Sequence, residues 1–128
     1  MPKSYADIIA AINAGIVKLR AAQPEALDGY SAMARGALKP GALPQLTKEL
    51  IALAIGVAGH CEGCIGFHAK ALARLGANRE QIMETLAVAV YMGGGPSLMY
   101  AAEAVHAFEE FAAQPAAPRP AAAAAPGG

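Results

Sequence analysis

The chain has 128 residues, 55% hydrophobic, 16% charged and 5% aromatic, and its 10 Lys and Arg balance its 10 Asp and Glu. That length fits one domain, and the balanced, scattered charge offers neither the basic stripe of a nucleic-acid binder nor a charged interaction tail. The longest apolar run, residues 50–59, falls short of the roughly 20 residues that cross a bilayer.

Almost every segment has a helical period. Ser4 is a predicted N-cap, with Asp7 where a capping box would carry Glu or Gln. Ile8, Ile9, Ile12, Ile16 and Leu19 then recur at helical spacing to about residue 22. Pro24 suits a first helical turn, and a second helix is predicted over residues 25–38, stopped by Lys39-Pro40-Gly41. The third starts at Pro44 and is apolar on nearly all sides over 50–57, which predicts the central, buried helix. Gly59 breaks it, and a fourth is predicted from Cys61 to Leu75, ended by Gly76. Asn78 caps a fifth, running to about Met92. Gly93-Gly94-Gly95-Pro96 connects it to a sixth, ending near Ala113. This glycine run lacks the Lys and Ser/Thr of a phosphate loop. The fold class is therefore all-α, with about six helices over residues 1–113. The Ala/Pro-rich segment 114–128 lacks aromatic and branched aliphatic residues and is expected to be a disordered tail.

A mean hydropathy of +0.35 is high for so small a chain and points to a homo-oligomer, because large apolar patches usually mark a partner interface. The N-terminal MPKSYADIIAAINAG is interrupted by Asp7 and Asn13 and lacks a signal-peptide pattern, so the expected location is cytoplasmic. Two cysteines in that setting suit reactivity or metal binding better than a structural staple.

Those cysteines lie in Glu49-(LIALAIGVAGH)-Cys61-Glu62-Gly63-Cys64-Ile65-Gly66-Phe67-His68. If Cys61 begins a helix, Cys61, Cys64 and His68 fall within about 60° of one face, with His68 one turn beyond Cys64. The helix N-terminus stabilises a thiolate there, which suits redox chemistry at neutral pH. Glu49 lies near the start of the most apolar helix, where a carboxylate needs a partner. If the third and fourth helices pair, Glu49 can face His68, giving a base, a relay and a nucleophile. The helix dipole favours Cys61 as the attacking thiol, whereas proximity to His68 favours Cys64.

The spacing Glu, eleven residues, Cys-x-x-Cys, three residues, His resembles the core motif of the alkylhydroperoxidase D-like branch of the carboxymuconolactone decarboxylase family. The surrounding ELIALAIGVAGHCEGCIGFHAKAL and the later GGGP also look like this family. The resemblance covers about residues 44–108. It implies an all-helical fold assembled as a trimer or hexamer, and a redox-active Cys pair that reduces hydroperoxides or disulfides, an antioxidant, peroxiredoxin-type activity. It implies no bound cofactor, with re-reduction by an external thiol or lipoyl-type partner. It assigns Cys64 as the attacking thiol, Cys61 as the resolving thiol, and His68 and Glu49 as the activating groups. This chain departs from the pattern at Gly63, where members of the branch carry a relay His or a Tyr. His60 is a possible substitute relay. The alternative enzyme reading is decarboxylase-type chemistry on a lactone acid. That branch of the family does not rely on a Cys pair, and the reading needs an anion-binding Arg for which the sequence offers no good candidate.

The alternatives for the Cys pair are inert thiols in a non-catalytic binding protein, or a metal site. A zinc site usually takes two separated ligand pairs, and here there is one, even with His60 and His68 counted. Glu49 can also be read as a first-turn dipole partner, and Glu62 as a solvent-exposed one. His106 reads as a surface or interface residue. Tyr91 and Tyr100 read as packing or interface residues, or as the mouth of a pocket.

Overall fold

The computed structural model describes residues 3–114 and contains six helices with no strand among them. The segment expected as a tail lies, from residue 115 onward, outside the described residues. The helices are α1 (Tyr5–Ala22), α2 (Pro24–Leu38), α3 (Gln45–Ala58), α4 (Glu62–Arg74), α5 (Arg79–Gly93) and α6 (Gly95–Ala112). The all-α expectation holds, with predicted boundaries displaced by a residue or two, as helix ends commonly are.

Local chemistry explains the starts and stops. The Ser4 hydroxyl accepts from the Asp7 backbone N–H, so Ser4 is the N-cap of α1. Pro24 occupies the first turn of α2, where its missing N–H costs nothing. Asn78 and Gln81 form a reciprocal capping box at the start of α5. Gly76 ends α4 in the left-handed region, φ +82, with its own N–H bonded to the Ala73 carbonyl and that of Ala77 to Leu72, the Schellman pattern.

The central helix is α4, packed against α1, α3 and α6. It buries Ile65, Gly66, His68, Ala69, Ala71 and Leu72. Helix α3 packs against α2, α4, α5 and α6, but its apolar stretch is not buried on all sides as expected. Its buried face is Glu49, Leu53, Gly56 and Val57, while Ile51 and Ile55 are 45% and 67% exposed. Apolar periodicity cannot distinguish a helix buried in its own chain from one that keeps an apolar face outside. The second helix goes further and buries no residue at all, resting on α1 and α3.

Glycines set the close approaches. A Cβ at Gly66 would stand 2.5 Å from Ile9 Cγ2 and 3.3 Å from the Tyr5 ring, so its absence lets α1 lie on α4. A Cβ at Gly56 would lie 2.9 Å from Cys64 Cβ, so α3 and the first turn of α4 touch through backbone. The dithiol segment is thereby pressed against the Glu49-bearing helix.

Candidate active site

The α3–α4 corner is a Schellman turn that places both cysteines. The His60 N–H bonds to the Val57 carbonyl at 3.1 Å, and the Cys61 N–H to that of Gly56 at 2.9 Å. Cys61 therefore closes one helix and opens the next: it is the N-cap of α4, and its Sγ accepts from the Cys64 N–H at 3.2 Å. Both thiols are free and partly buried. Burial, followed by the hydrogen bond to Cys61, pushes the Cys64 thiol up to about 11. At neutral pH Cys64 is thus protonated, and nucleophilic attack by it requires a base.

A base is held in the layer behind. Glu49 Oε2 lies 2.5 Å from His68 Nδ1, with Glu49 only 1% and His68 5% exposed. The carboxylate expected to need a partner has one, and the pairing of α3 with α4 anticipated from the spacing brings it there. The carboxylate fixes the ring by accepting from Nδ1–H, which leaves Nε2 as the ring's acceptor. His68 follows Cys64 by one turn of the same helix. The assembly can therefore hold a neutral imidazole in one tautomer and stabilise the imidazolium that forms when it takes a proton.

His60 has an unusual backbone, φ 56, the one non-glycine residue with positive φ among the described residues. Its ring stacks on Tyr100, with centroids 4.8 Å apart and planes 5° from parallel. Its Nε2 lies 3.5 Å from the Ser97 hydroxyl. Gly63 has no side chain to serve as relay, and a Cβ there would stand 2.8 Å from Ile12 Cδ1. Helix α1 thus covers that flank of the dithiol. Among the described residues no group of three or more His, Cys, Asp or Glu side chains is placed to hold a metal.

Several neighbours escaped sequence reasoning because their partners lie far along the chain. Glu62, expected to stay in solvent, pairs with Lys3, which also reaches Glu103 at 3.0 Å. These bonds, first the one donated to Glu62, hold the Lys3 amine above its ordinary range. The buried Tyr5 phenol bonds to Glu103, and burial together with that bond pushes it up. Glu110 of α6 accepts from the Ser4 hydroxyl and the Tyr5 N–H at 2.8 Å and the Ala6 N–H at 3.1 Å, capping α1 from across the fold. His106 is exposed beside Glu109, and Tyr91 is 83% exposed.

Fold and site together define a class: a helical protein whose Cys-x-x-Cys opens a central helix in front of a buried Glu–His pair. The chain belongs to the carboxymuconolactone decarboxylase family, whose model matches residues 24–107. The family expected from the motif is therefore the correct one. A crystal structure of an apo carboxymuconolactone decarboxylase family protein from Legionella pneumophila has the same fold. Its TM-score is 0.83 at 55% identity, covering 84% of this chain and 96% of that one. An uncharacterised protein of Cupriavidus necator is 41% identical over 98 residues, 77% of this chain and 87% of its own length. Another from Paracoccus denitrificans, described as protein 4 in the cox locus, is 37% identical over 83 residues, 65% of this chain and 75% of its own.

Proposed function

We propose that this protein is a thiol-dependent oxidoreductase of the alkylhydroperoxidase D-like branch, cycling Cys61 and Cys64 between dithiol and disulfide. The observation that carries this reading is the buried Glu49–His68 pair, 2.5 Å apart and one helical turn behind a dithiol whose inner thiol is protonated at neutral pH. A carboxylate and an imidazole removed from water this completely are costly to keep unless they are used or fully satisfied. In the proposed cycle His68 takes the proton of Cys64, with Glu49 stabilising the imidazolium. The Cys64 thiolate attacks the distal oxygen of a hydroperoxide, breaking the O–O bond, and the alcohol leaves with a proton. The resulting sulfenic acid is attacked by Cys61, which forms the disulfide and releases water. A disulfide substrate is reduced by the same pair through a mixed disulfide, and two thiols leave. An external thiol or lipoyl-type donor returns the pair to the dithiol.

No helix among the described residues is long and apolar enough to cross a membrane. The exposed Ile55, Val88, Tyr91, Met92, Leu98 and Met99 support a homo-oligomer in which these surfaces are covered by other copies, a trimer or hexamer as in the branch.

The test is quenched-flow oxidation of the reduced protein by an organic hydroperoxide and by a cyclic disulfide, with remaining thiols counted by alkylation. The reading expects loss of both thiols in wild type, and a stalled sulfenic acid or mixed disulfide in Cys61→Ser. It expects no rapid reaction in Cys64→Ser. Rapid reaction in Cys64→Ser with a block in Cys61→Ser would reverse the roles of the two thiols. No oxidation of wild type by either reagent would sink the reading.

A further inference from the structure

We propose that His60 is a positioning residue for the dithiol: its ring, seated on Tyr100 and Ser97, holds the turn that fixes Cys61 at the N-cap of α4. The proposal rests on the dithiol reading and adds a role for a residue outside the Glu49–His68 pair.

The argument begins with a comparison inside the chain. Helices α3 and α4 end in the same Schellman turn, whose left-handed position favours glycine because a Cβ is strained there. After α4 that position is Gly76, φ +82; after α3 it is His60, φ 56. A glycine stands one residue earlier, at Gly59, where φ is −85 and no such freedom is needed. The chain therefore accepts strain beside its dithiol that it avoids at the other end of the same helix. Strain kept in this way points to a use for the side chain.

The side chain has a prepared seat. Tyr100 and Ser97 stand one turn apart at the start of α6, and the His60 ring lies flat on the first with Nε2 toward the second. Ser97 is fully buried, and the space it fills exists because Gly93 has no side chain, since a Cβ there would overlap the Ser97 hydroxyl. The platform is thus part of the α5–α6 connection and cannot easily shift. His60 itself is exposed, so burial alone does not account for the placement of its ring on Tyr100.

Cys61 is the next residue, shared between two helices. Its Sγ is held by the bond it accepts from the Cys64 N–H. The direction in which its Cβ leaves the backbone is set by the turn, and the turn is anchored to α6 through His60. Cys64 has a further contact with α3, its Cβ against Gly56. Both cysteines are thus tied to α3 at Gly56, and the turn that carries Cys61 has a second tie, to α6, by way of His60.

The experiment compares His60→Gly, Tyr100→Leu and His60→Phe with wild type. It reads thermal stability, the dithiol–disulfide equilibrium against glutathione, and the rate of disulfide formation. Gly suits the left-handed backbone, so His60→Gly is expected to be at least as heat-stable as wild type. Its equilibrium constant is nevertheless expected to change threefold or more, about 15 mV, and its rate to fall threefold or more. Tyr100→Leu should reproduce both redox changes. His60→Phe keeps a ring on Tyr100 but carries no proton, and should restore both values to within about twofold. Redox behaviour of His60→Gly within 1.5-fold of wild type would overturn the proposal. So would a His60→Phe as impaired as His60→Gly, since that would make the ring a proton carrier. A wild-type protein that forms no disulfide under any poise would instead remove the dithiol reading itself.

Discussion

Replacing Glu49 by Gln isolates the contribution of its charge, because the amide has nearly the same volume and keeps an acceptor oxygen for His68 Nδ1–H. What changes is the partner offered to the imidazolium that forms when His68 takes a proton. The 2.5 Å contact between two groups that are 1% and 5% exposed is screened little by water, so it belongs with charge-assisted hydrogen bonds. Such bonds contribute about 1.5–3 kcal/mol, against about 0.5–1.5 kcal/mol for neutral ones. The difference, about 1–1.5 kcal/mol, converts to a disulfide-forming step slower by about 5- to 12-fold. The chain has no Trp, so the assay is quenched flow with alkylation of remaining thiols. Thermal unfolding should be nearly unchanged in Glu49→Gln. Glu49→Ala strands a buried His68 N–H and should lose about 1–3 kcal/mol of stability. A Glu49→Gln rate within twofold of wild type, at normal stability, would refute the role given to the carboxylate.

Three further outcomes follow from the packing and the ion pairs. Gly56→Ala sets a methyl 2.9 Å from Cys64 Cβ, whereas Gly63→Ala meets only the flexible end of Ile12 at 2.8 Å. The first should therefore cost about 1–3 kcal/mol and slow the dithiol, and the second distinctly less, as measured by urea unfolding and thiol oxidation. At Glu110, burial acts to raise the carboxyl but is outweighed by bonds from Ser4, Tyr5 and Ala6, which hold it below its ordinary 4.5. Its contribution is full above that value and lost as pH falls through the lower folded value. Melting temperature should accordingly fall less steeply with acid in Glu110→Gln than in wild type. Ile55→Glu places a charge on the exposed apolar face of α3 and should lower the oligomeric state by light scattering. An unchanged mass would remove that face from the interface.

Local chemistry was legible wherever the two partners are near in sequence. Ser4, Asn78 and Gly76 mark helix ends because a cap and its backbone target lie within a few residues. The Glu49–His68 pair was legible for a related reason: two helices joined by a tight turn must lie side by side, so spacing alone brings the residues together. The sequence did not reveal contacts closed by the whole fold. Nothing local marks Glu110 as the cap of α1, which begins 105 residues earlier, nor ties Lys3 to Glu62 or His60 to Tyr100. The all-apolar stretch of α3 was misleading as to burial, because Ile51 and Ile55 are core-type residues that stand 45% and 67% exposed. Gly63 read as a missing relay, while the structure also shows Ile12 of α1 against that position.

The central claim is that Cys61 and Cys64 form one redox couple, and the most direct measurement is peptide mass mapping of the fully reduced protein after oxidation. Treatment with an organic hydroperoxide, and separately with a small cyclic disulfide, should yield through at least one of them an intramolecular Cys61–Cys64 disulfide. Both thiols should disappear for each equivalent of oxidant consumed. Two thiols that stay alkylatable after excess of both reagents, or cross-link only between chains, would contradict the account.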